Sequence, residues 1–338
     1  MRSAFFVSLG LLFFSCTGTS DQPDVSGITV NVKLQRFEQG LFEMDSIALY
    51  HQLDSFVASY PDFGDVFMTQ VLNCDPRWSD DTLVSYVYGF THSSAYRSVF
   101  DSAEKLFGDF GKYEKELAKA LQLQQYYFPQ YPTPQKIITY VGPLDGQGDG
   151  VADNALVVGL HHHLGAGSEF YKSDWLRTTY PEYITRRFEP NTITVNCISA
   201  LIRDMYPDNF EDQVLIDQMV ERGKRLYLLQ QLLPENPEHL LIGYTEQQWN
   251  DCIDHESVIW NFFNSNQLLQ SNDYNAIKNY VNDGPKTQEL GAASPGNIGS
   301  FIGWRIVKKY MKKNKETSLM ALMKTPAAHI LEKAKYKP

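Results

Sequence analysis

The sequence predicts an α+β protein, predominantly α-helical with a small β-sheet. Apolar residues recur at helical spacing through most of the chain from residue 41 onward. Two β-rich runs, residues 136–141 and 155–163, flank a Gly/Asp-rich loop, and a third run, residues 28–37, alternates apolar and polar with period two. The chain has 338 residues, 43% hydrophobic and 13% aromatic, ample for a large core. No repeat, low-complexity tract or linker interrupts residues 28–338, which read as a single domain. Its 40 acidic against 30 basic side chains give a net charge of -10, which argues against nucleic acid as a partner.

Residues 1–16, "MRSAFFVSLGLLFFSC", place one arginine before an apolar stretch at residues 4–14. That stretch is shorter than the roughly 20 apolar residues a membrane-spanning helix needs, and it suits an export signal. The ending Phe-Phe-Ser-Cys resembles a bacterial lipobox, which implies a signal peptide at 1–15 removed before Cys16 and a diacylglycerol on the Cys16 sulfur. An ordinary cleaved signal is the alternative. Residues 16–27, rich in Ser, Thr, Asp, Gly and Pro, read as a flexible leash. With Cys16 lipidated, Cys74, Cys197 and Cys252 form either one disulfide and one thiol or three buried thiols.

After the strand at 28–37, residues 41–60 take helical spacing until Pro61. Between residues 80 and 123 the helical period is broken at Gly89 and around Gly108 to Gly111, which predicts two or three helices. The two β-rich runs then read as a strand pair, and residues 212–233, 246–263, 274–281 and 298–311 as helices.

Four stretches invite a chemical reading. In "LVVGLHHHLGAG", residues 156–167, a strand would put His161 and His163 on one face, roughly 6 to 7 Å apart, able to chelate a metal. The competing reading is of partly exposed histidines at a strand end. In "DCIDHESVIW" the pair His255-Glu256 could open a zinc-peptidase helix, but the position four residues on is Ile259, so the second ligand is missing and an amphipathic helix is expected. "GDGVADN", residues 148–154, interleaves acids with glycine but lacks the closing glutamate of a calcium loop, and reads as a surface turn. Lys308, Lys309, Lys312 and Lys313 lie opposite the apolar face of the last long helix, as a solvated face or a patch for anionic lipid. No nucleophile elbow or phosphate loop occurs.

The stretches "VLIDQMVERGKRLYLLQQLLP", "IGYTEQQWNDCIDHESVIWNFF", "SPGNIGSFIGWRIVKKYM" and "YKP", with "RFEQGLF", "VVGLHHHLGAGSEFY" and the lipobox, together resemble the gliding-motility lipoprotein GldB family over the whole chain. Its motif positions fall on Gly223, Lys224, Tyr227, Gly243, Tyr244, Pro295, Gly296, Gly299 and Trp304. The resemblance implies a lipid-anchored accessory protein of gliding and type IX secretion, in the cell envelope on the periplasmic side of the outer membrane, with the proteins of that machinery as partners. It also implies a zincin-like layout in which the HExxH metal helix would fall at "ITVNCISALIRDMYP". There this chain has Asn196, Cys197, Ile198, Ser199 and Ala200, so the zinc-binding motif is absent; Glu221 could be a relic of a third ligand. The expectation is a non-catalytic pseudoenzyme with no cofactor and no catalytic residue. The alternative is a zinc hydrolase using His161, His163 and an acid such as Glu169 or Glu221.

Overall fold

The computed structural model describes residues 22–210 and 213–338. The signal at 1–15, Cys16 and the first part of the leash lie outside the described residues. The elements run β1 (Lys33–Arg36), α1 (Phe37–Phe42), α2 (Ser46–Ala58), α3 (Gly64–Val66), α4 (Asp80–His92), α5 (Ser94–Phe107) and α6 (Gly111–Tyr127). Next come β2 (Lys136–Tyr140), β3 (Gly150–Ala152), β4 (Ala155–Gly159), α7 (Asp174–Thr179), α8 (Glu182–Thr185) and α9 (Ile193–Met205). The remainder is helical: α10 (Leu215–Leu232), α11 (Glu238–Ile242), α12 (Glu246–Asp254), α13 (Glu256–Ser265), α14 (Tyr274–Val281), α15 (Ile298–Lys313), α16 (Leu319–Lys324) and α17 (Ala327–Ala334). The predominantly helical α+β class read from the sequence is what the chain adopts. Among the described residues no helix is long and apolar enough to cross a membrane.

The sheet has four strands, not three, in the order β1-β2-β4-β3. β1, β2 and β4 are parallel, and β3 returns antiparallel to β4. β4 is buried at every position and β2 at all but its first residue, which explains their unbroken apolar runs: central parallel strands are covered on both faces. The strand expected at 28–37 is confined to Lys33–Arg36. Lys33 pairs with Lys136 and its amide donates to the Gln135 carbonyl. Further extension would need pairing with a segment holding Pro132 and Pro134, which carry no N–H.

Helix boundaries follow capping chemistry. The single helix expected over 41–60 is two, because Asp45 caps α2, its Oδ1 accepting the Ala48 amide at 2.8 Å. Ser79 and Ser93 cap α4 and α5 in the same way, and Thr245 with Gln248 forms a capping box at α12. The helix expected over 246–263 breaks at His255, which separates α12 from α13.

The helical part is organised by the crossing of α10 and α15, where glycine replaces side chains. A Cβ at Gly303 would fall on the Met219 carbonyl, and one at Gly223 on the Gly303 backbone. The two backbones therefore approach as closely as only glycine permits. Trp304 lies buried beside this crossing, its ring 5.4 Å from that of Trp249 and capped by the Lys308 ammonium at 4.2 Å.

The lysine row expected as a solvated or lipid-facing patch is split, with Lys312 and Lys313 exposed and Lys308 and Lys309 half-buried. Lys308 pairs with Glu238, Lys309 donates to the Lys337 carbonyl and Lys313 to the Ala334 carbonyl, clasping the segment after α17. Glu256, the glutamate of the "HE" pair, accepts from Arg305 at 2.9 Å and from the Tyr336 hydroxyl at 2.5 Å, so it ties the C-terminal segment down.

Candidate functional site

The histidine run is not on a strand. β4 ends at Gly159, and His161 and His162 lie in a 3-10 turn, Leu160–His162, with His163 directly after it. Partial exposure is also wrong: His161 and His163 are 0% exposed and His162 is 6%. His161 accepts the Gly142 amide at Nδ1 and donates from Nε2 to the Gln147 carbonyl. His162 donates to the Leu144 carbonyl and stacks on Phe188, 4.4 Å between centroids. Both nitrogens of His163 face acceptors, the Glu189 carbonyl at 3.0 Å and Asp149 Oδ2 at 2.8 Å. These rings join loops together. Their hydrogen bonds would have to break before His161 or His163 bound a metal.

Asp149 completes this layer. The "GDGVADN" stretch expected as a surface turn carries a carboxylate whose side chain is only 3% exposed, and its Oδ1 accepts the Gly159 amide at 3.0 Å. Burial alone would lower the His163 pKa, but the adjacent Asp149 side chain and the hydrogen bonds raise it, so the charged form of the His163 ring is favoured here. His161 and His162 go the other way: burial depresses both, helped by their neighbouring histidines, and His162 falls to about 4. Cys197 is buried nearby, its thiol pushed well up by burial and by Asp149. Cys74, Cys197 and Cys252 are all buried free thiols.

A depressed histidine pKa contributes stability above its unfolded value and loses it as pH falls. Stability should therefore decline between about pH 6.5 and about pH 4, with His162 alone accounting for about 3 kcal/mol. His163, raised, adds no further loss in that acid window. Urea unfolding at pH 7 and pH 4.5 checks this: in His162→Phe the difference between the two pH values should shrink, and an unchanged difference would contradict it.

Glu221, the other proposed ligand, is engaged on α10 with Lys224 at 2.6 Å and Arg225 at 3.9 Å. Glu169 is exposed and bound to Lys172. Among the described residues no three His, Cys, Asp or Glu side chains are placed to hold one ion.

The motif positions surround a different feature. A cavity of about 450 Å³ is floored by α9 and walled by α10 and the segment of α11 through Glu246. Asn196 and Ser199 line it, while Cys197 points into the core. Gly243 and Tyr244 form part of the wall. Gly243 adopts φ 75°, ending α11 in the left-handed conformation glycine favours. The buried Tyr244 hydroxyl donates between the Gly296 and Asn297 carbonyls, holding the Pro295–Gly299 turn against the cavity. Gly296 packs against the Gly284 backbone, and Gly299 against the Tyr280 carbonyl. Lys224, 2% exposed, donates to the Met323 and Thr325 carbonyls and fastens α10 to the end of α16. Tyr227 lies partly buried on the same helix.

Sequence reasoning missed the cavity's charge. Arg186, Arg187, Arg203, Arg222 and Arg225 line it. Arg187 pairs with Asp283 at 2.7 Å and Arg225 with Asp208 at 3.2 Å. Among the described residues, Arg186, Arg203 and Arg222 have no carboxylate within 4.0 Å. Arg222 stacks on Phe210 at 4.4 Å and leaves its buried Nε without a partner there. Ser199 has no hydrogen bond to a histidine or carboxylate among the described residues. The adjacent arginines of "RR" and the i, i+3 pair on α10 were the visible signal.

Comparison with known proteins returns no match among curated proteins and none among solved structures. A family model described as "Gliding motility protein GldB" matches residues 18–338, which spans β1 to Tyr336 and every motif position just located. The chain belongs to the GldB family of gliding motility proteins.

Proposed function

We propose that this gliding-motility protein is a non-catalytic, lipid-anchored component of the cell envelope. It hangs from Cys16 on the periplasmic side of the outer membrane and supports gliding or type IX secretion by binding proteins of that machinery. The observation that carries the reading is the composition of α9. At positions 196–200, where the zincin-like resemblance places the metal motif, the side chains that line the cavity are an amide and a hydroxyl, Asn196 and Ser199, and the intervening Cys197 thiol is buried. Those groups bind and orient a ligand but supply neither metal ligands nor a general base for water. The short name of the family, which marks its members as lipoproteins, supports the anchor.

Crosslinking and co-purification from native membranes tests the partner claim. Motility and secretion proteins should be retained with the chain, and recovery of the chain alone, or peptide turnover with tightly held zinc, would defeat it. Cys16→Ala should shift the protein from the membrane fraction to the soluble periplasmic fraction, because several acyl chains make anchoring stable. A variant that stayed with the membrane would count against lipidation.

A further inference from the structure

The arginine cavity has no role in the fold described so far. Five of the chain's eleven arginines line it, and none of its nineteen lysines does. A site that needed only positive charge would use both types, whereas a guanidinium offers a planar fork of donors matched to an oxyanion. Burial depresses both Arg186 and Arg222, which marks them as cations withdrawn from water. Withdrawing a cation is costly unless a counter-charge meets it. Among the described residues the lining carboxylates, Glu189, Asp208, Glu246 and Asp283, number four against five arginines, leaving one positive charge in excess among them. That balance suits a monoanion better than a phosphate dianion. The remaining wall is apolar, with Val195, Ile202, Leu226 and Leu229, and the volume of about 450 Å³ lies within the range of small-ligand sites.

We infer that this cavity binds a carboxylate attached to an apolar body, the carboxylate drawn to Arg186 and Arg222 and the apolar part lying along α9 and α10. The inference rests on the reading of the cavity as a binding site rather than a hydrolytic one. Two sources carry this chemistry, a small free acid and the C-terminus of a peptide chain.

Isothermal titration of the full chain distinguishes them, using N-acetyl-leucine, acetyl-Ala-Ala-Leu, the C-terminal amide of each, and inorganic phosphate. Each acid should bind about 10-fold or more tightly than its amide, the ratio expected when one charged hydrogen bond is lost. Arg222→Gln and, separately, Arg186→Gln should erase that ratio while the circular dichroism spectrum and unfolding midpoint of at least one variant stay native. Stronger binding of the tripeptide assigns the carboxylate to a chain end, and stronger binding of N-acetyl-leucine to a small acid. Equal affinity for acid and amide, tighter binding of phosphate than of either acid, or a folded arginine variant that keeps the ratio would overturn the inference. Mass spectrometry of the same mixtures isolates the underlying reading: cleavage of the tripeptide would break the non-catalytic assignment, whereas intact peptide without acid preference breaks only the carboxylate assignment.

Discussion

Gly303→Ala is expected to lower the stability of the protein by about 3 kcal/mol or more, toward the upper end of overpacking costs. The new methyl group would fall on the Met219 carbonyl, and no flexible side chain is there to give way. α10 and α15 would have to separate, loosening Gly223, Met219 and the buried Trp304 together. Gly223→Ala should cost a similar amount, since its Cβ meets the Gly303 backbone from the other side. The two effects should be less than additive, because either substitution alone forces the same separation. Guanidinium unfolding of both single variants and the double variant measures this. A Gly303→Ala protein with a native midpoint would mean that the helices do not approach as closely as described.

The second large effect is expected from Asp149→Ala. It strands a buried His163 cation and the Gly159 amide at once, and breaking a buried ion pair by removing one partner typically costs about 3 to 5 kcal/mol. The sign of the pH dependence is specific. A histidine whose folded pKa is raised contributes stability in full below its unfolded value of about 6.5, and loses it as pH rises through the folded value. The deficit of the variant relative to the natural protein should therefore be greatest near pH 6 and shrink in alkaline buffer. Urea midpoints at pH 6 and pH 9 decide the matter, and a deficit that grew with pH would show that His163 is not held charged by Asp149.

Features governed by neighbours in sequence were legible in the chain. The helical texture between residues 80 and 123 and the break around Gly108 to Gly111 were anticipated, but Gly89 lies inside α4 and the first break falls instead at Ser93, where, as at Ser79 and Thr245, a capping residue announces the helix. The gap between α1 and α2 was equally available in Asp45, but an apolar stripe that continues across a cap masks the break. What escaped was decided by distant backbone. The histidines are satisfied by the carbonyls of Leu144, Gln147 and Glu189 and the amide of Gly142, groups that every residue type carries and that no side-chain pattern reports. For the same reason the parallel pairing of β2 with β4, with β3 folded back outside them, is invisible in two apolar runs around a loop. The arginine cavity draws on positions from 186 to 225 that only the folded chain brings together.

The clasp of Glu256, Lys309 and Lys313 on the residues around Tyr336 also makes the closed helical half depend on a segment remote in sequence. A polypeptide made from its amino terminus presents its earlier helices first, yet Arg305 and Glu256 stay without their aromatic lid until Tyr336 has been added. That contact therefore joins residues far apart in sequence, and a purification handle fused directly behind that tyrosine would compete with it.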